Sequence, residues 1–257
     1  MINTGFINEK KLKKCVDLLK EYFSDKNEEL AEVTYPSCLE FGGEVWLYYV
    51  FFSCLLDYGM RSKIYHKNLL ETYKICPQIF NPKCVVDTYC GSEEELLRIL
   101  KEYVHPRYPN VALSKWVSLS KELAQYENIK EVITGFRSFS ELNQFIRNMH
   151  GYGQKTGGLL IRVICDAGIC NFVDELGVIP LDRHDVEVCF MTGIINKSKL
   201  NDKEIEALST SLIKFGKSVE VSASNVDKYL WEIGNRFCNK KNCIECPLHT
   251  ICKTKGK

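Results

Sequence analysis

From Val45 to Leu56 the chain reads VWLYYVFFSCLL, apolar along nearly its whole length. Twelve residues are too few to span a bilayer, for which about 20 are needed. A helix with no polar face belongs in the interior, enclosed by other elements. The rest of the chain, 257 residues in all, is long enough to supply that shell as one large or two modest domains.

The surrounding pattern is helical nearly throughout. Ser138 and Glu141 form an S-x-x-E capping box ahead of an apolar stripe at Phe139, Leu142, Phe145, Ile146 and Met149. The stripe stops at His150-Gly151, and a second helix starts near Gln154. Its apolar face is Leu160, Val163, Ile164 and Ala167, with Gly168 as the terminating glycine. Further helices are expected over 10–23, 92–103, 114–126, 186–195 and 202–215, and the two prolines of His105-Pro-Arg-Tyr-Pro109 break the chain between two of them. The polar stretch 196–203 reads as a surface loop between subdomains. Alternating patterns are rare and no β-α-β rhythm occurs, so the expected fold is all-α.

The formal net charge is +1, which argues against a histone-like or tail-mediated nucleic-acid binder but leaves room for a local phosphate site. Of thirteen cysteines, nine are scattered without framework spacing, and most of these sit among apolar neighbours and read as small buried hydrophobes. With a charged, amphipathic N-terminal stretch and no signal-like apolar core, a reducing intracellular compartment is expected: cytoplasm or nucleoid, or a nucleus. No membrane span is expected.

The remaining four, Cys238, Cys243, Cys246 and Cys252, form a C-x4-C-x2-C-x5-C run with Pro247 after the third. Four thiols confined to one short loop suit a cluster or metal with an all-sulfur shell, and the spacing permits zinc as well as an iron–sulfur cluster. Upstream lies His150-Gly151-Tyr152-Gly153-Gln154-Lys155-Thr156, two helices joined by a Gly-x-Gly turn. Gly151 and Gly153 can take positive φ and leave their amides uncovered, and with the positive end of the second helix these N–H groups suit a phosphate. Such a contact holds a strand without reading its sequence. The plainer alternative is a Gly-x-Gly that merely separates two helices. Lys155 stands in the first turn of the second helix, where the dipole disfavours its positive charge; a neutral amine there is a nucleophile for a sugar carbon. Asp182, two residues before His184, is placed to cap the next helix, and equally to stabilise positive charge developing at a sugar. His184 braces that helix start.

Together these residues resemble the endonuclease III branch of the helix-hairpin-helix DNA glycosylases. The family's hairpin, roughly L-P-G-V-G-x-K-T, is similar to Met149-His-Gly-Tyr-Gly-Gln-Lys-Thr156. Its V-D-T-H-x-x-R-V-C is similar to Leu181-Asp-Arg-His-Asp-Val-Glu-Val-Cys189, and its Gly-Arg-aromatic segment before the cluster loop to Gly234-Asn-Arg-Phe-Cys238. The resemblance implies two lobes with a cleft between them: a helical barrel of residues 35–175 ending in the hairpin, and residues 1–34 with 176–257 carrying the cluster. It implies Lys155 as nucleophile, Asp182 as the catalytic carboxylate and the four cysteines as ligands of a [4Fe–4S] cluster that braces a DNA-contacting loop. By the same resemblance, His150, Gly151, Tyr152, Gly153, Gln154, Thr156, Lys240 and Lys241 contact DNA; the last two are otherwise solvated surface charge. The implied protein is a monomeric glycosylase and abasic-site lyase acting on duplex DNA with a damaged base or abasic site. An oxidised pyrimidine is the first expectation and an oxidised purine the next.

The chain also departs from the family pattern. The first cysteine gap is shorter, His150 replaces a proline, and extra residues separate Lys155 from Asp182, among them a second carboxylate, Asp174. No glutamine stands in Leu55-Leu-Asp-Tyr-Gly59, where the family often carries one that probes the strand. Competing readings are a damage-binding protein of the same fold without catalysis, a zinc site in an unrelated helical scaffold, and action on a free nucleotide or RNA.

Overall fold

The computed structural model describes residues 5–24, 33–57, 62–170, 172 and 181–253. Among them every regular element is helical. The helices are α1 Glu9–Phe23, α2 Glu44–Leu55, α3 Ser62–Ile75, α4 Pro82–Tyr89, α5 Glu93–Ile99 and α6 Pro109–Leu123. They continue with α7 Ile129–Thr134, α8 Phe139–Asn148, α9 Gln154–Asp166, α10 Arg183–Met191, α11 Asp202–Ser218 and α12 Ala223–Ile233. A single antiparallel bridge, Ile7 to Ile195, is the only β pairing among the described residues. No described helix is long and apolar enough to cross a membrane.

The chain divides into two compact units, Ala31–Glu175 and Met1–Leu30 with Leu176–Lys257. In the first, α2 is the central helix: every residue from Trp46 to Leu55 is buried, and only Val45 at its start turns outward. An apolar side chain enclosed in this way contributes about 1.5–3 kcal/mol, so the run that marks the sequence also dominates the core. Phe52 stacks on Trp116 of α6 with ring centroids 4.5 Å apart, and the Trp116 indole N–H donates to the Ile79 carbonyl at 2.8 Å. The carbonyls near the end of α2 are collected by tyrosines from elsewhere. Tyr65 of α3 donates to the Phe52 carbonyl at 3.2 Å, and Tyr152 donates to that of Phe51.

The second unit packs α1, α10, α11 and α12 around Leu12, Val16, Leu19, Val188, Leu208, Leu212 and Leu230. Phe23 and Tyr229 stack at 4.4 Å within it. The segment 196–201, expected to join subdomains, lies inside this unit and leads into α11 through a capping box between Asn201 and Glu204. Its Lys197 pairs with Glu204, so the polar residues that suggested a linker hold a helix start.

Two helix starts also differ from expectation. Pro109 opens α6 rather than only breaking the chain, because a first-turn proline lacks an N–H that would have no partner there. The preceding break is at His105, which takes a left-handed φ of 55°. The helix expected over 186–195 is α10, drawn earlier by its cap at Asp182 and stopped by Gly193 at φ +73°.

Candidate functional site

The hairpin begins at α8, whose N-cap Ser138 accepts from the Glu141 N–H at 3.2 Å. The capping box is offset by one residue, since the Glu141 carboxylate accepts from the Arg137 N–H rather than that of Ser138. Between α8 and α9, Gly151 takes φ +92° and faces Leu55; a Cβ added there would lie 2.8 Å from Leu55 Cδ1. Gly153 differs from expectation: its φ is −102° and nothing lies within 4 Å of where a Cβ would stand. Gly151→Ala is therefore expected to cost about 2–4 kcal/mol, from left-handed strain plus overpacking, and Gly153→Ala well under 1 kcal/mol. Urea unfolding of the two variants checks this; equal losses would remove the asymmetry.

Several amides of the turn already have partners. The His150 N–H donates to both carboxylate oxygens of Glu122, each at 3.1 Å, and the Gly153 N–H donates to the Thr156 hydroxyl at 3.2 Å. The Tyr152 N–H donates to the Met149 carbonyl at 3.2 Å, and its side chain is buried. Thr156 is buried too. Tyr152 and Thr156 thus shape the turn, and a phosphate would meet main chain rather than their side chains. The start of α9 at Gln154 has no side-chain cap, which leaves the positive helix end facing outward from the turn. Lys115, from α6, donates to the Gly151 carbonyl at 3.4 Å and brings a second cation to the hairpin.

Lys155 projects from the first turn of α9, and its Nζ donates to the main-chain carbonyl of Asp57 at 3.1 Å. The amine is held against the second residue after α2, half-buried. Asp57 is buried, and its carboxylate Oδ2 stands 3.8 Å from Nε2 of the buried His66. Sequence reading missed Glu122, Lys115, Asp57 and His66. Glu122, Lys115 and Asp57 meet the hairpin or Lys155, and His66 meets Asp57, only through tertiary packing, and no local spacing announces them.

In the other unit, Asp182 caps α10. Its Oδ1 accepts from the N–H groups of His184 at 2.6 Å and Asp185 at 3.2 Å, and the Asp182 N–H donates to Asp185 Oδ2 at 2.7 Å. Against this helix start lies Gly234, where a Cβ would come within 2.9 Å of His184 Cβ. Gly234 opens a wide helical turn, Gly234–Cys238, that delivers the first of the four clustered cysteines. Asp174 lies outside the described residues, as do Tyr58 and Gly59.

The cysteine loop is stitched by its main chain: Asn242 N–H to the Phe237 carbonyl at 3.0 Å, Cys246 to Cys243 at 3.3 Å and Cys252 to Leu248 at 3.0 Å. The Lys253 N–H donates to the Met191 carbonyl at 2.7 Å, tying the loop's exit to the end of α10. All four thiols are partly buried. Burial, then the charges of Cys246, Cys252, Glu187 and Cys243, push Cys238 up to about 12. Cys246 is raised by burial and, less strongly, by Cys252 and Cys243, against a lowering by a hydrogen bond from the Leu248 main chain. Cys246, Cys252 and Cys243 thus all act on Cys238, and Cys252 and Cys243 act on Cys246. Among the described residues no three His, Cys, Asp or Glu side chains stand close enough to grip a metal ion as they are. The donor set nevertheless fits one, because bound iron or zinc converts thiolate repulsion into attraction. Lys240 and Lys241 are exposed on this loop, with Lys241 at φ 55°.

No protein-family model matches the chain, and no curated protein matches it in sequence. Its fold is shared with the crystal structure of the 8-oxoguanine DNA glycosylase of Methanocaldococcus jannaschii. That match has a TM-score of 0.56 at 18% identity and covers 88% of this chain and 92% of that one. A second structure, of that organism's 8-oxoguanine glycosylase/lyase in complex with a 15mer DNA containing 8-oxoguanine, matches with a TM-score of 0.53 at 18% identity. It covers 88% of this chain and 95% of the other. The shared feature is the all-helical fold of those two structures.

Proposed function

We propose that this protein is a bifunctional DNA glycosylase, which removes an oxidised base from duplex DNA and then nicks the abasic strand. The observation that carries the reading is Lys155: an amine in the first turn after a glycine hairpin, half-buried and held by the Asp57 carbonyl, in a chain with the fold of DNA glycosylases. The strand's phosphates meet the start of α9, the hairpin main chain, and Lys115. The target nucleotide is rotated out of the duplex. The neutral Lys155 amine attacks C1′, the C1′–N bond breaks, and its electron pair leaves with the base. The bound lysine nitrogen then sheds a proton and its lone pair opens the sugar ring, breaking C1′–O4′ and leaving O4′ as a hydroxyl; loss of the 2′ proton from the resulting protonated imine expels the 3′ phosphate by β-elimination. Asp182 is assigned the carboxylate that stabilises positive charge on the sugar and assists proton transfer. Cys238, Cys243, Cys246 and Cys252 would hold a [4Fe–4S] cluster, whose contribution is to order the loop bearing Lys240 and Lys241.

Two classes of base remain in view. The motifs favour an oxidised pyrimidine, as in the endonuclease III branch. The 8-oxoguanine substrates of the structural neighbours favour an oxidised purine, while the missing glutamine near Asp57 bears on the opposite-base contact and selects neither class.

Borohydride trapping on a duplex with one abasic site tests the lysine chemistry: a covalent protein–DNA adduct is expected. Binding without an adduct would leave a monofunctional glycosylase or a damage binder. A panel of duplexes carrying 8-oxoguanine or oxidised pyrimidines then assigns the base. Asp182→Asn separates the two roles of that residue. Asparagine caps a helix as well as aspartate, so stability should change by less than about 0.5 kcal/mol. The rate of base excision should fall by about 10²-fold or more, since the charge is gone. Excision at full rate by this variant would confine Asp182 to capping.

A further inference from the structure

His66, in α3, is only 3% exposed, and neither of its ring nitrogens has a hydrogen-bond partner among the described residues. A buried imidazole without bonds lowers stability, and a phenyl ring of similar shape would not. Such a residue calls for a reason outside packing. The structure suggests one. His66 Nε2 faces Asp57 Oδ2 at 3.8 Å, and the main-chain carbonyl of the same aspartate accepts from Lys155 Nζ at 3.1 Å. Three titratable residues from three segments are therefore chained, with Asp57 in the middle. The other ionisable groups acting on Asp57 or beside it are Cys54 of α2, Tyr65 of α3 and Tyr152 of the hairpin. Burial raises all three well above their ordinary values, so they stay protonated.

We propose that Asp57 and His66 are positioning residues for the Lys155 amine: the His66 ring holds the Asp57 carboxylate, and the main chain so fixed presents the carbonyl on which Lys155 Nζ rests. Neither touches DNA. The pair acts in a low-dielectric interior, where an imidazole facing a carboxylate constrains it more firmly than at the surface. The carbonyl takes one N–H of the lysine and so fixes the direction left for the attacking lone pair. The proposal rests on the reading of Lys155 as nucleophile.

The test uses His66→Phe, Asp57→Asn and the double variant of the full chain. It follows single-turnover adduct formation with borohydride on an abasic duplex, alongside duplex affinity and thermal melting. His66→Phe should melt no lower than the wild type and bind the duplex within about twofold, yet form the adduct about tenfold more slowly, as a misplaced reacting group does. Asp57→Asn should slow the same step to a similar degree. The double variant should be no slower than the slower single, because the two act as one unit. Full-rate adduct formation by either single variant, or multiplicative losses in the double, would overturn the proposal. So would a His66→Phe protein that melts well below the wild type, since the imidazole would then be part of the packing. If the wild type itself forms no adduct, the lysine reading fails and takes this proposal with it. A normal wild-type adduct with unaffected variants sinks the positioning pair alone.

Discussion

Lys155→Ala should abolish the borohydride-trapped adduct and slow strand cleavage at an abasic site by on the order of 10³-fold or more, the scale set by loss of a covalent nucleophile. Duplex affinity should fall by less than about tenfold, because the uncapped start of α9 and Lys115 remain. Folding should be nearly unchanged. The substitution removes one hydrogen bond to the Asp57 carbonyl, worth about 1 kcal/mol, and also removes a cation from a helix start that disfavours it. Lys155→Arg is the sharper control. Arginine keeps the charge and can still donate to that carbonyl, but it stays protonated and cannot form the imine. It should therefore bind DNA and fail to trap. An adduct that persists in Lys155→Ala would move the nucleophile elsewhere. Lys115, whose Nζ reaches the Gly151 carbonyl at 3.4 Å, would be the first amine to replace next.

What could be read from the chain beforehand was whatever is encoded locally. The run VWLYYVFFSCLL has no polar face, and α2 is buried from Trp46 to Leu55. The stripe ahead of His150 and the glycine at 168 mark α8 and the end of α9, where Gly168 takes φ +69°. Helices α3, α4, α7 and α12 went unanticipated. In α3 and α12 the polar residues are interleaved with buried Tyr65, Leu69, Val226 and Leu230, whose apolar character pays off only against partners distant in sequence. The hairpin shows the same division. Its glycines, Lys155 and Thr156 are legible as a motif, but the carboxylate of Glu122 on the His150 N–H and the Asp57 carbonyl under Lys155 come from 28 and 98 residues away. Gly153 shows a subtler limit. A glycine permits positive φ without requiring it, and here Thr156 secures an extended conformation by accepting from the Gly153 N–H.

The second large effect expected is at the cysteine loop. Purified without oxygen, the protein should be brown and contain iron and acid-labile sulfide, and Cys246→Ser should lose both and melt at a markedly lower temperature. Among the described residues, few apolar side chains anchor the loop. Leu248 is its buried apolar anchor, Ile244 is 87% exposed, and main-chain hydrogen bonds run mostly within the loop. Short segments of this kind depend on a bound centre; a structural zinc contributes about 10–16 kcal/mol to small domains, and even a fraction of that would dominate here. Cys246 is the position to change because it acts on Cys238 within the loop and on Cys15 of α1, whose thiol burial and Cys246 together push up to about 12. Losing it would break the sulfur shell and change a side chain packed on the core that includes Cys15. Adduct formation at saturating duplex should survive, because no bond is made at the loop, while affinity should fall as Lys240 and Lys241 lose their fixed places. A colourless protein holding one zinc, lost in Cys246→Ser, would keep the structural role and replace the cluster. A wild type that binds neither metal and melts with the variant would remove the all-sulfur centre altogether.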